Sequence, residues 1–151
     1  MTYQLGKKSL QELEGVDDPI VRVVKRAITI TPVDFSVHDG LRTIEEQRAY
    51  VDAGVSKTMN SLHLEGKAVD LVPYINGRLR WEWPPIYQVA YAVKVAADLE
   101  NVALVWGAVW DRTLEELDDD LEQEVERYVE RRKRQGKKAF LDGPHIQAVK
   151  S

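Results

Sequence analysis

The chain contains no cysteine among its 151 residues. That absence excludes disulfides, thiolate nucleophiles and thiolate metal sites, so any bound metal must be held by nitrogen and oxygen. No apolar run approaches the roughly 20 residues that a membrane helix needs. After the lysines at positions 7 and 8, Gln11, Glu12 and Glu14 interrupt the leucines, so no signal peptide is expected. Excess positive charge is missing too: 21 Lys and Arg against 25 Asp and Glu leave a net charge of −4, which disfavours nucleic acid as a partner. Histidine is scarce, at three residues, and this scarcity makes the positions of the histidines informative.

What is present is the composition of a water-soluble globular chain, 44% hydrophobic and 30% charged. A chain of this length buries roughly 68 to 70% of its unfolded surface, so one core and one domain over residues 1–151 are expected. Ser9 and Glu12 read as a capping box for a short helix. Asp17-Asp18-Pro19 opens a second helix with a stripe of Ile20, Val23, Val24 and Ala27, so the first 28 residues are expected to be helical. Val33, Phe35 and Val37 alternate with Asp34, Ser36 and His38 as in a strand with one buried face, and Asp39-Gly40 then turns the chain. Thr43 and Glu46 cap a helix that Gly54 ends, which sets Arg42 at an edge rather than in a core.

Residues 68–72 form an apolar run broken only by Asp70, the pattern of an inner strand whose carboxylate needs a partner. Trp83-Pro84-Pro85 starts a helix carried by Ile86, Val89, Ala90, Val93 and Ala97 as far as Leu99, and a strand follows at 102–106. Residues 113–136 predict one charged surface helix, capped by Thr113 and Glu116, with Leu114, Leu117, Leu121, Val125 and Tyr128 as its apolar stripe. Its acids precede its bases, as the helix dipole favours, and it reads as an insertion before the last motif.

Two of the three histidines lie close to carboxylates, in Ser61-Leu62-His63-Leu64-Glu65-Gly66-Lys67-Ala68-Val69-Asp70 and in Asp142-Gly143-Pro144-His145. Imidazole with carboxylate is a ligand set that suits zinc. A catalytic zinc site uses three protein ligands and leaves a position for water, beside which a general base must stand. His63, Asp70 and His145 can supply the ligands and Asp142 the base. Spacing alone leaves Glu65 as a rival to Asp70, and Asp39 as a rival to Asp142. Trp81, Trp83, Trp106 and Trp110 could offer a sugar-stacking surface, although core packing is the default for at least two of them. His38 could line the cleft or merely flank a turn.

The ordered motif Ser61-x-His63-x-x-Gly66-x-Ala68-x-Asp70 with Asp142-x-Pro144-His145 resembles the M15-type zinc peptidases, which include D-alanyl-D-alanine carboxypeptidases and L-alanyl-D-glutamate endopeptidases. The phage endolysin branch matches best. Gly40-Leu41-Arg42-Thr43-x-Glu45-Glu46-Gln47 and Trp106-Gly107 are similar to further segments of that family. The resemblance spans about residues 33–147 and implies zinc held by His63, Asp70 and His145, with Asp142 as base. It also implies that Arg42 contacts substrate and polarises the scissile carbonyl, with Ser61 as a supporting hydrogen-bonding residue. The implied fold is α+β, a small antiparallel sheet carrying the zinc site with helices packed against it, as in hedgehog and DD-peptidase domains. The implied substrate is the stem peptide of peptidoglycan, cut at the L-alanyl-D-glutamate bond. A monomer is expected, made in the host cytoplasm and acting at the wall. A carboxypeptidase of the same metal chemistry and a non-catalytic zinc-binding module are the rival readings. The chain departs from the family pattern at Ile146-Gln147, after the late histidine, and in the length of its 113–136 segment.

Overall fold

A computed structural model describes residues 2–54, 56, 59 and 61–150. Five helices and six strands follow one another as α1 (Lys7–Glu12), α2 (Asp18–Ile30), β1 (Phe35–Asp39), α3 (Ile44–Asp52), β2 (Ala68–Ile75), β3 (Arg78–Leu79), α4 (Trp83–Glu100), β4 (Leu104–Trp106), β5 (Val109–Thr113), α5 (Leu121–Arg134) and β6 (His145–Ala148). Short 3-10 turns at Leu62–Glu65 and Leu114–Glu116 complete the order. The strands pair antiparallel in the order β1-β2-β6-β4-β5, and β3 hairpins back onto β2 through Asn76-Gly77. This is the expected α+β architecture. β2 lies between β1 and β6, the inner position that its apolar run predicts.

The sheet has two chemically different faces because side chains alternate along a strand. Phe35, Val37, Val69, Leu71, Leu104, Trp106 and Ile146 point to one core, where they meet Ile20, Val23, Val24 and Ala27 of α2 and Ile86, Val89, Ala90 and Val93 of α4. Each such aliphatic side chain, fully buried, stabilises the fold by about 1.5–3 kcal/mol before entropy is counted. The intervening residues Asp70, His145 and Gln147 stand on the other face. Antiparallel register sets Asp70 directly opposite His145 in β6 and opposite Asp39 in β1. A shift of one residue would send this whole polar set into the core, so the apolar pattern also holds the polar register. A bulge between Val37 and Asp39 leaves His38 as the extra residue of β1.

Four local expectations change. Ser9 does not cap α1: the helix begins after Gly6, and Ser9 lies inside it, buried, with Oγ accepting the Val37 backbone N–H at 3.0 Å. The side chain meets a distant strand instead of its own helix end, so spacing alone misleads. β1 starts at Phe35 and runs through Asp39, where a turn was expected. The capping box of Thr113 and Glu116 exists, but it opens only a 3-10 turn, and the long helix restarts at Leu121 with Asp120 as its N-cap. The apolar stripe nevertheless holds, with Leu114, Leu117, Leu121, Val125 and Tyr128 all buried. Arg42, expected at an edge, is 8% exposed. Its charge is neutralised by the buried Asp39 and the partly buried Asp70, which is what allows a guanidinium below the surface.

Candidate active site and metal centre

His63, Asp70 and His145 converge although 82 residues separate the outer two. His63 Nε2, His145 Nδ1 and Asp70 Oδ1 form a triangle with sides of 3.3, 3.3 and 3.2 Å. An ion bonded tetrahedrally at about 2.0–2.1 Å separates its ligand atoms by roughly 3.3–3.4 Å, so the spacing suits such an ion. Outside partners orient both rings. His63 Nδ1 donates to the Gly40 carbonyl at 2.9 Å, and His145 Nε2 donates to Gln147 Oε1 at 2.9 Å. Two imidazole lone pairs and a carboxylate oxygen then face one another. Three acceptors so close repel unless a proton or a cation lies among them, and the cluster could hold a metal ion.

Backbone features set this geometry. Ser61 Oγ accepts the His63 N–H at 3.2 Å, which caps the 3-10 turn carrying His63. The turn ends at Gly66 in the left-handed region, φ 70°, where a Cβ would lie 2.3 Å from the Gly15 carbonyl oxygen. A side chain there would meet both backbone strain and a clash. Trp106 and Gly107 support the other half of the site. Trp106 Nε1 donates to the Gly143 carbonyl at 2.6 Å, the Asp142 N–H donates to Gly107 at 2.8 Å, and the Gly107 N–H donates to His145 at 2.8 Å. A Cβ on Gly107 would stand 2.3 Å from the Asp142 carbonyl oxygen. The Trp-Gly pair is therefore a template for the turn that presents Asp142 and His145.

Asp142 stays outside the ligand triangle but lines the same cleft of about 730 Å³. Burial, and then the nearby Asp70 charge, push its carboxyl above the ordinary value, against the pull of His145, His63 and Arg42. Burial also opposes the Asp70 charge, but bonds from His145 and His63 outweigh it and hold Asp70 well below the usual carboxylate range. Two neighbouring carboxyls are thus driven apart: Asp70 is held ionised, and Asp142 takes a proton more readily.

Arg42 meets Asp39, Gln47 and Asp70. Its Nε donates to Asp39 Oδ2 at 2.9 Å, its Nη1 donates to Gln47 Oε1, and its Nη2 lies 3.6 Å from Asp70 Oδ2. Tyr50 places its ring 4.4 Å from the guanidinium carbon. Asp39 and Asp70 are cross-strand neighbours of like charge, a repulsive pairing that the guanidinium between them offsets. Asp39 is thereby engaged as the partner of Arg42. Glu65, the rival to Asp70, is exposed on the 3-10 turn and outside the triangle.

Several contributors escape a linear reading. Gln147 was visible only as a departure from the family pattern, although its spacing two residues after His145 places it on the same face of any strand. Tyr50 and the cleft-lining Tyr128 and Arg132 give no local signal. Of the tryptophans, Trp106 is fully buried, while Trp81 and Trp110 line the cleft. Trp110 packs 5.2 Å from the His145 ring and donates through Nε1 to the Phe140 carbonyl at 2.8 Å. His38 also lines the cleft, edge-on to Trp81 with ring centroids 5.4 Å apart.

Comparison with known proteins agrees with the geometry. Residues 1–149 match the family described as phage L-alanyl-D-glutamate peptidase. The L-alanyl-D-glutamate peptidase of Escherichia phage T5 is 30% identical over 115 residues, covering 74% of this chain and 84% of that protein. That of Listeria phage A118 is 31% identical over 78 residues, 52% of this chain but 27% of the longer relative. The crystal structure of the Serratia marcescens L-Ala D-Glu endopeptidase ChiX superposes with a TM-score of 0.72 at 33% identity, covering 97% of this chain and 90% of that one. The chain belongs to the phage L-alanyl-D-glutamate peptidase family.

Proposed function

We propose that this protein is a zinc-dependent peptidoglycan hydrolase that cleaves the L-alanyl-D-glutamate bond of the stem peptide. One observation carries the metal part of the reading: three acceptor atoms 3.2–3.3 Å apart, with both imidazoles oriented from behind and a raised carboxyl beside them. The names of the relatives and of the structural neighbour support the bond. His63, Asp70 and His145 would hold zinc, a choice favoured by the nitrogen and oxygen donors and by the absence of cysteine. The ion would polarise the scissile carbonyl and make water acidic enough to attack near neutral pH.

The remaining work belongs to side chains. Asp142 accepts the water proton and returns it to the leaving amine, as a carboxyl with a raised pKa does most readily. Arg42 holds Asp70 and Asp39 in place and, lining the cleft, adds positive charge where the carbonyl oxygen becomes negative. Because Asp39, Gln47 and Asp70 already engage the guanidinium, orienting Asp70 is the larger part of its task. Ser61 serves through its cap of the His63 turn. The proposed substrate puts its action at the bacterial wall, in keeping with the names of the relatives. Among the described residues, no helix is long and apolar enough to cross a membrane.

Digestion of purified peptidoglycan with products identified by mass tests this reading. New N-terminal D-glutamate on released peptides, abolished by chelation and restored by zinc, is expected. Release of terminal D-alanine from otherwise intact stems, or full activity in a metal-free preparation, would overturn it.

A further inference from the structure

The cleft carries a set of cations that the chemistry above leaves unused. α5 and the segment after it bring Arg132 and Lys138 to the cleft, and Lys150 joins them from beyond β6. Other arginines of the helix are engaged elsewhere. Arg127 lies 3.2 Å from Asp118, Arg131 clasps Asp111 through bonds of 2.8 and 2.9 Å, and Arg134 lies 3.6 Å from Glu130. Arg132 has no carboxylate partner among the described residues. Among the described residues its Nη1 reaches only the neutral Gln135 side chain, at 3.4 Å, and its buried Nε has no hydrogen-bond partner.

The acids on the same cleft do not fill the gap. Asp39 and Asp70 face Arg42, Asp111 is held by Arg131, and Asp142 stands beside the ligand triangle. An arginine on the cleft with no acid partner among the described residues leaves its charge available to a group from outside. A guanidinium offers a planar fork of N–H donors that matches a carboxylate, and the match is stronger at a partly shielded site than in open water.

We propose that Arg132, assisted by Lys138, binds the free carboxylate of the glutamate residue whose nitrogen leaves when the bond is cut. The inference rests on the bond assigned under the proposed function. Glutamate has two carboxyl groups and its onward chain linkage consumes one, so the other stays a carboxylate within a few bonds of the leaving nitrogen, unless it is amidated. The cations thereby select the acidic form of the stem peptide over the amidated form. The 113–136 segment, longer than the metal chemistry requires, supplies this selectivity.

The test compares two synthetic stem peptides that differ only in whether that group is a carboxylate or a carboxamide. Wild-type protein loaded with zinc should cleave the carboxylate form with kcat/KM about tenfold or more higher, through a lower KM. Arg132→Gln should lose that advantage, with kcat/KM falling about tenfold more on the carboxylate form than on the carboxamide, and Arg132→Lys should restore part of it. Equal wild-type cleavage of both peptides, or an equal loss on both in Arg132→Gln, would overturn the assignment while leaving the proposed function standing. Failure to cleave either peptide at the alanyl-glutamate bond would overturn both.

Discussion

His145 Nε2 lies 2.9 Å from the Oε1 of Gln147, two residues further along the same strand. The amide oxygen accepts the ring N–H, so the lone pair of His145 sits on Nδ1, the atom that faces Asp70 and His63. Replacing Gln147 by Leu removes that acceptor and frees the ring to change tautomer. Zinc affinity should fall about 10- to 100-fold, and Gln147→Glu should retain it. Competition with a chromophoric chelator measures both, and unchanged affinity in Gln147→Leu would remove the orienting role.

Gly107 has no room for even one methyl group. In Gly107→Ala the added carbon would start 2.3 Å from the Asp142 carbonyl oxygen and 2.9 Å from the His145 Cβ, so the turn must move. A displacement near 1 Å can cost about 100-fold in rate, and a loss of that order in kcat is expected, together with a lower Tm. An alanine variant with wild-type kcat would show that the turn is not templated in this way.

Asp142→Asn separates proton transfer from metal binding. Removing the base should lower kcat by about 10²- to 10⁴-fold while zinc content stays at one per chain. A carboxyl whose folded pKa is raised costs stability once pH exceeds its unfolded value, so the metal-free variant should melt higher than the metal-free wild type at neutral pH. Calorimetry of chelated samples checks that sign, and a lower Tm for the variant would contradict the burial argument.

Activity should fall as pH drops, for two reasons that add. Asp142, as the proposed base, can accept a proton only when ionised, and its raised carboxyl begins to protonate above the ordinary carboxylate range near 4. His145 must be neutral to bind metal. Burial disfavours its charged form, but the hydrogen bond and charge of Asp70 outweigh burial and raise it above the usual 6.5. Zinc affinity should therefore weaken from above about pH 6.5 downward. Asp70 acts on stability with the usual carboxylate sign: its depressed pKa gives stability above the unfolded value, lost as pH falls through the folded one. A kcat profile flat down to about pH 4 would refute the base assignment.

Much of the fold was legible wherever apolar spacing repeated. The stripe of α2, the run of α4 and the inner strand β2 all appear where period and burial predict them. Local reading failed where a side chain has a distant partner: Ser9 bonds Val37 and not its own helix end, and Arg42 is drawn inward by Asp39 and Asp70. The break between Leu117 and Asp120 was hidden because the apolar stripe continues across it while the backbone does not.

The sequence by itself determined the donor set, because a chain without cysteine and with three histidines leaves few ways to hold a metal, and the order of its motifs pointed to one of them. It also placed Asp70 in an apolar run that read as an inner strand, but it gave no strand for His145 and Gln147. Only the tertiary structure decided which acid joins the two histidines and which stands apart, since register across β1, β2 and β6 sets those distances. Likewise it alone decided that Asp39 belongs to Arg42 and that the charged 113–136 segment turns an arginine toward the cleft. The physical reason is common to all of these. Periodicity is a property of neighbours along the chain, whereas a ligand triangle or an ion pair depends on distances between residues as many as 82 positions apart.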